Sequence, residues 1–168
     1  MKSFEIEQKY RCANLALLRK KLIQLKARLI KKGSEQNEFW DVDGKLARKK
    51  MVLRLRRHGK TSQLTLKGPR LKSYYTKRIE LETEVDYQPT QAILKATGFQ
   101  ISKQYSKKRE VYQLGKVIVT LDTLPRFGTF VELEGAAKDI GRAAEQLRIS
   151  ERDREERSYL GMLFKWRN

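Results

Sequence analysis

The segment Glu5-Ile6-Glu7-Gln8-Lys9 narrows the possible folds first, because a strand would place its two acids and its base on one face and Ile6 on the other. The segregation recurs along the chain. Arg54 and Arg56 alternate with Leu53 and Leu55, and Thr65 and Lys67 with Leu64 and Leu66. Arg78, Glu80 and Glu82 alternate with Ile79 and Leu81, and Glu132 and Glu134 with Val131 and Leu133. One such strand is ordinary at a solvated sheet surface. A chain rich in them needs a covering for every apolar strand face.

Between these strands the sequence offers the covering. Asn14 is placed to cap a helix whose Leu15, Leu18, Leu22, Leu25 and Leu29 recur at three- and four-residue intervals up to Gly33. Glu38 to Asp43 reads as extended with a turn at Gly44, and Met51 to Arg57 and Ser62 to Lys67 read as a hairpin around Gly59. Tyr75 to Val85 reads as a long strand and Thr90 to Thr97 as a short helix closed by Gly98. Ile101 to Leu114, Lys116 to Leu124 and Thr129 to Glu134 follow as strands. Two amphipathic helices end the chain, Lys138 to Leu147 and, from a Ser150 cap, Glu151 to Phe164. The pattern predicts an α+β fold in a single domain over residues 1–168, an antiparallel closed barrel of about eight strands with helices packed outside. If the helices cover the Leu, Ile and Val faces, the charged faces point inward. Burying that many charges is prohibitive unless acids and bases pair, water remains and a highly charged ligand completes the balance. The arrangement implied is a solvated tunnel for polyphosphate and metal.

Charge points the same way. Lys and Arg number 38 against 20 Asp and Glu, a formal net charge of +18 that calls for an anionic partner. The bases are dispersed among glutamates rather than gathered in a tail, which suits a small phosphate-rich ligand better than a duplex. Arg19, Lys20, Lys21, Lys26, Arg28, Lys31 and Lys32 read as the solvated face of a helix and permit nonspecific nucleic-acid binding. Cys12, the only cysteine, excludes an intrachain disulfide, and with no signal peptide in view a cytoplasmic location is expected. His58, the only histidine, excludes His-rich zinc sites and argues against a histidine-dependent triad. No apolar run reaches the length of a membrane span, so no membrane partner is expected. Phe39, Trp40, Tyr74 and Tyr75 read as packing at a barrel end, with stacking on a substrate ring as the alternative. Tyr159, Leu160, Leu163, Phe164 and Trp166 read as anchors of the terminal helix.

The ordered set Glu5-x-Glu7-x-Lys9, Leu53 to Arg56, Leu64 to Pro69, Arg78 to Glu82, Lys107 to Arg109, Leu121-Asp122 and Phe130 to Glu134 resembles the CYTH family over nearly the whole chain. That family contains class IV adenylyl cyclases, thiamine triphosphatases and inorganic triphosphatases, and its fold is the triphosphate tunnel. Leu64 to Pro69 and Lys107 to Glu110 look most like the cyclase branch. The resemblance implies phosphate binding by Lys9, Arg54, Arg56, Lys67, Arg78, Lys107 and Arg109, since arginine offers a planar fork to phosphate oxygens and lysine a compact charge. It implies Mg²⁺ or Mn²⁺ held by Glu5, Glu7, Glu132 and Glu134, with Glu80 and Glu82 either joining them or orienting the bases and Asp122 as a further ligand or as a group behind the ligands. Glu5, Glu7, Lys9 and Lys107 are then the catalytic set.

Two reactions fit this set. In a cyclase, the 3′-hydroxyl of ATP attacks the α-phosphorus and pyrophosphate leaves; in a triphosphatase, water attacks the terminal phosphorus of thiamine triphosphate or tripolyphosphate. A noncatalytic polyphosphate- or RNA-binding protein is the third alternative, disfavoured because a pure anion binder has no use for clustered carboxylates. Monomer and homodimer are both compatible with the sequence.

Overall fold

The computed structural model describes residues 3–164, with side chains from residue 5 onward. Eight strands, β1 (Ser3–Arg11), β2 (Arg28–Asp41), β3 (Val52–His58), β4 (Thr61–Lys67), β5 (Thr76–Glu84), β6 (Gln100–Leu114), β7 (Val117–Leu124) and β8 (Gly128–Glu134), follow the hydrogen-bonded order β1-β5-β4-β3-β2-β6-β7-β8. That order closes on itself, an antiparallel barrel with the helices outside. The helices are α1 (Leu15–Gln24), α2 (Lys45–Arg48), α3 (Tyr87–Ala96), α4 (Ala137–Leu147) and α5 (Tyr159–Phe164). Among the described residues, no helix is long and apolar enough to cross a membrane.

Contacts gather the chain into two compact units, one containing Ser34–Leu71 and Arg78–Ser106, the other Glu5–Gly33, Lys72–Lys77 and the residues from Lys107 onward. In the second unit, Leu15, Leu18 and Leu22 of α1 and Ile140, Ala143 and Leu147 of α4 form one core with Tyr10, Tyr112, Val119, Leu121, Val131 and Leu133. Each buried aliphatic side chain there stabilises by roughly 1.5–3 kcal/mol. Lys9, Asp122 and Glu132 alternate with Tyr10, Leu121 and Val131, so they occupy the strand face turned away from α1 and α4. In the first unit, Leu94 of α3 packs on Trp40 and Leu55, with Leu53 and Leu64 at the margin. Arg54, Arg56 and Thr65 therefore take the opposite face.

The short α2 has no counterpart in the sequence reading, and the first and last helices depart from it. The leucine-striped helix stops at Gln24, because Lys26 turns to φ 56° and the bonds from the Lys26 amide to the Ile23 carbonyl (2.9 Å) and from the Ala27 amide to the Leu22 carbonyl (2.9 Å) close a Schellman turn without glycine. Arg28 onward is strand instead, which moves Leu29 from a core stripe to an exposed position and divides the basic run between α1 and β2. Lys21 and Lys32 are not simply solvated: Lys21 Nζ donates to the Leu147 carbonyl (2.7 Å), and Lys32 pairs with Glu110 (3.3 Å). The final helix is also broken. Ser150 Oγ caps a 3₁₀ turn at Glu151–Asp153 by accepting from the Arg152 amide (3.2 Å). The chain then extends, Arg154 bridging to Tyr10 and the Glu155 amide donating to the Lys9 carbonyl (2.9 Å), before α5 begins. Trp166 lies outside the described residues.

Candidate active site

Cross-strand register builds the first charged cluster, in the second unit. Arg109 of β6 lies opposite Asp122 of β7, Thr120 of β7 opposite Glu132 of β8, and Glu132 opposite Lys9 of β1. Directly opposed residues on one face are within side-chain reach. Arg109 grips Asp122 with two nitrogens (Nε 2.7 Å, Nη2 2.5 Å) and Glu132 with Nη2 (2.5 Å). Lys107 Nζ donates to Asp122 Oδ2 (3.0 Å), and Lys9 Nζ stands 3.6 Å from Glu132 while donating to the Arg157 carbonyl (2.8 Å). Tyr159, the first residue of α5, donates its hydroxyl to Asp122 (2.8 Å) and presents its ring to Lys9 Nζ (4.1 Å from the centroid) and Lys107 Nζ (4.4 Å). Burial alone would raise the Glu132 carboxyl; Arg109, Lys107 and Lys9 outweigh it and hold the group below its ordinary value, with Glu7 pulling the other way. Burial, then Glu132 and Asp122, push the Tyr159 phenol far up, so it stays a donor.

The first unit carries the second cluster. Arg54, Thr65 and Glu82 form one row across β3, β4 and β5. Thr65 Oγ1 donates to Glu82 (2.7 Å), Arg56 Nη2 reaches Glu82 at 3.2 Å, and Arg56 Nη1 stands 3.9 Å from the buried Glu35. Lys67 donates to its register partner Glu80. Burial disfavours the charge on Arg54, but Glu35, Tyr105, Glu80 and Glu82 more than restore it and raise the guanidinium above its ordinary value. Arg78 is only 6% exposed. The Nε groups of Arg54 and Arg78 are buried and have no hydrogen-bond acceptor among the described residues. Orphaned buried donors on cations are costly, and a bound anion is the acceptor that relieves the cost.

Among the described residues, no group of three or more His, Cys, Asp or Glu side chains is arranged to hold a metal ion. The chemistry of the donors nevertheless suits a hard divalent cation. Glu7 and Glu134 are direct register partners, Glu7 acts electrostatically on Glu132, and Glu5 lies two residues before Glu7 on the same strand. All are carboxylates, with no sulfur or imidazole.

Sequence reasoning missed the supporting Glu35, which carries no motif of its own, read Tyr159 as a helix anchor, and placed Thr65 on the charged face of its strand without assigning it a role. The aromatic pairs divide: Trp40 is packing, 2% exposed in the α3 core, Tyr75 joins the core of the second unit, and Tyr74 donates to Glu151 (2.7 Å). Burial raises the Cys12 thiol, which removes it from nucleophile chemistry.

A closed antiparallel barrel bearing acid–base clusters on strand faces turned from α1, α3 and α4 defines a class, and comparison identifies it. The chain belongs to the CYTH domain family, whose sequence profile matches residues 3–159. A Methanocaldococcus jannaschii protein named as a candidate adenylate cyclase is 26% identical over 138 residues, 81% of this chain and 79% of that protein. The solved structure of a candidate adenylate cyclase from Vibrio parahaemolyticus is 25% identical with a TM-score of 0.86, covering 97% of this chain and 99% of that one. A Hippeastrum protein described as a candidate adenylyl cyclase with a dominant triphosphatase activity shares the fold at 19% identity, TM-score 0.70, over 96% of this chain and 94% of its own.

Proposed function

We infer that this chain is an enzyme that processes a triphosphate, and that its reaction is the cyclisation of ATP to cAMP and pyrophosphate. The observation that carries triphosphate binding is the pair of buried guanidinium groups, Arg54 and Arg78, whose Nε donors have no acceptor among the described residues. Phosphate oxygens are suitable acceptors and supply the charge that balances a base-rich strand face. Arg56 and Lys67 are further cations of the same unit, and Lys9, Lys107 and Arg109 are those of the second. Cyclisation rather than hydrolysis is favoured by the two relatives at 25–26% identity, each named as a candidate adenylate cyclase.

In this reading Lys9, Lys107 and Arg109 hold phosphate oxygens and Asp122 positions the latter two bases from behind. The Tyr159 ring excludes water from the Lys9 and Lys107 ammonium groups. Glu5, Glu7, Glu132 and Glu134 would hold Mg²⁺ or Mn²⁺, with Glu80 and Glu82 orienting the bases. The cation, when bound, neutralises charge on the phosphate oxygens. The ribose 3′-hydroxyl attacks the α-phosphorus, and the leaving pyrophosphate carries negative charge that the arginines stabilise.

A product assay tests this. ATP, thiamine triphosphate and tripolyphosphate are each incubated with the protein and Mg²⁺ or Mn²⁺; cAMP with stoichiometric pyrophosphate is the expected result from ATP. Orthophosphate release without cAMP makes the protein a triphosphatase, and absence of any product overturns the enzyme reading. Glu5→Gln and Glu7→Gln are expected to lose turnover while keeping the wild-type melting temperature, since each removes a hard ligand but little volume.

A further inference from the structure

The stretch from α1 into β2 carries bases and apolar groups for which the proposed reaction has no use. Arg19 to Lys32 holds seven bases and no acid. Four large aliphatic side chains stand exposed in or beside the same stretch, Leu17 at 52%, Ile23 at 70%, Leu29 at 49% and Ile30 at 46%. The first helix turns Leu15, Leu18 and Leu22 into the core of the second unit. With about 3.6 residues per turn, Leu17, Lys20 and Ile23 then fall on its solvent side, each one three-residue step from the next.

The turn after α1 brings the rest of this surface alongside. The Lys26 amide bonds the Ile23 carbonyl (2.9 Å) and the Ala27 amide the Leu22 carbonyl (2.9 Å), so the chain enters β2 next to Ile23. Leu29 lies two residues past Ala27, about 7 Å of extended chain. Strand alternation would bury one of Leu29 and Ile30 in a covered sheet, yet both are open to solvent. The ladder to β3 begins at Glu35, opposite the last β3 residue His58, and Arg28 to Ser34 runs past the end of that neighbour. Lys20, Lys26 and Arg28, all exposed, lie among these aliphatic groups.

Aliphatic groups interleaved with bases fit a surface that is apolar beneath a layer of negative charge. Nucleic acid can use the bases, but it stacks its rings on aromatic side chains, and Leu15 to Gly33 contains no Phe, Tyr or Trp. A second copy of the chain would set the same bases against one another. We propose that this corner of α1 and β2 docks on an anionic lipid bilayer. Leu17, Ile23, Leu29 and Ile30 enter the boundary between headgroups and acyl chains, and Lys20, Lys26 and Arg28 meet the lipid phosphates. Such a corner lies on a bilayer and does not cross it, so the lack of an apolar run of spanning length has no bearing on the docking. The docking is independent of the triphosphate reading.

Cosedimentation with vesicles tests it, using phosphatidylcholine alone and an equal mixture of phosphatidylcholine and phosphatidylglycerol, at about 150 mM salt where distant charges are screened. The wild type is expected to bind the anionic vesicles at least about tenfold more tightly than the neutral ones. Ile23→Ser and Leu29→Ser, both at exposed positions, are each expected to weaken that binding at least about threefold. The same two variants should keep the wild-type melting temperature, its tripolyphosphate-induced rise and the retention of single-stranded RNA. Lys20→Glu should weaken vesicle and RNA binding together. In Ile23→Trp the tryptophan emission should move to the blue on adding anionic vesicles, by more than in the wild type, as the ring leaves water. A wild type that ignores anionic vesicles overturns the proposal, as does vesicle binding that Ile23→Ser and Leu29→Ser both retain. Equal loss of RNA retention in those variants gives the aliphatic groups to nucleic acid and overturns it too. So does a wild-type dimer, seen by sedimentation velocity, that Ile23→Ser dissociates, since the surface then belongs to a second copy.

Discussion

Asp122 has no exposed surface and accepts from Lys107, from two nitrogens of Arg109 and from the Tyr159 hydroxyl. A carboxylate so enclosed is affordable only because every partner is present. Asp122→Asn removes the charge beneath two buried cations and is expected to cost about 3–5 kcal/mol. Tyr159→Phe deletes one hydrogen bond and leaves the ring beside Lys9 and Lys107, with an expected cost of about 1–2 kcal/mol. Urea denaturation of the two variants measures the difference, and comparable losses would show that charge is not what holds the cluster together. The two residues also differ in how far the sequence exposes them. Asp122 sits in an alternating strand and matches a family motif. Tyr159 is one aromatic in a short apolar stretch, and its position among the lysines depends on where the extended segment before α5 lands, which no local pattern encodes.

That segment is held by an element-scale device. Glu155 accepts from Arg11 (2.7 Å), from Arg157 Nε (2.8 Å) and Nη2 (2.9 Å), and from the Arg157 amide (3.1 Å), while its own amide donates to Lys9 of β1. The segment places the Arg157 carbonyl on Lys9. The Arg157 hydrogen bonds, reinforced by Arg11 and opposed by burial, hold the Glu155 carboxyl down to about 2 from an ordinary 4.5. A depressed carboxylate adds stability that is complete above the unfolded value and is lost as pH falls through the folded one, so the window runs from about 4.5 down to about 2. Both arginines are largely open to solvent, which reduces the contribution to about 1 kcal/mol. Melting temperatures of wild type and Glu155→Gln across pH 2–7 should therefore differ at neutral pH and converge in acid; a constant offset would remove Glu155 from the linkage. At this scale the alternating strands were legible because alternation is local, whereas the first part of β2, read as helix up to Gly33, and the helix ends were not. Leu25 and Leu29 continue the three-and-four spacing past Gln24, yet Lys26 adopts the left-handed conformation usually left to glycine, and tertiary packing of β2 overrides the stripe.

At the scale of the whole molecule, the +18 charge divides into two populations with different exposure. Arg78, Lys107 and Arg109 are nearly buried, at 6%, 3% and 8% exposure, whereas Arg19 to Lys32 contains seven bases and no acid, and Lys20, Lys21, Lys26, Arg28 and Lys31 occupy exposed or partly exposed positions of α1, the turn after it and β2 without a pairing to Glu110. Closure of the barrel was legible from the recurring charged strands, and this division was not, because net charge carries no information on depth. Salt separates the populations. Exposed bases that displace counterions from a nucleic acid should lose at least about tenfold in affinity between roughly 50 and 200 mM salt. Buried bases are screened less, so the rise in melting temperature produced by tripolyphosphate should fall only modestly over the same range. Lys20→Glu and Arg28→Glu, both exposed, are expected to weaken retention of single-stranded RNA and to leave the tripolyphosphate shift unchanged. Filter binding and melting curves on one preparation supply both readings, and a parallel decline of the two with salt, or a loss of the tripolyphosphate shift in the surface variants, would mean that one population of bases serves both ligands.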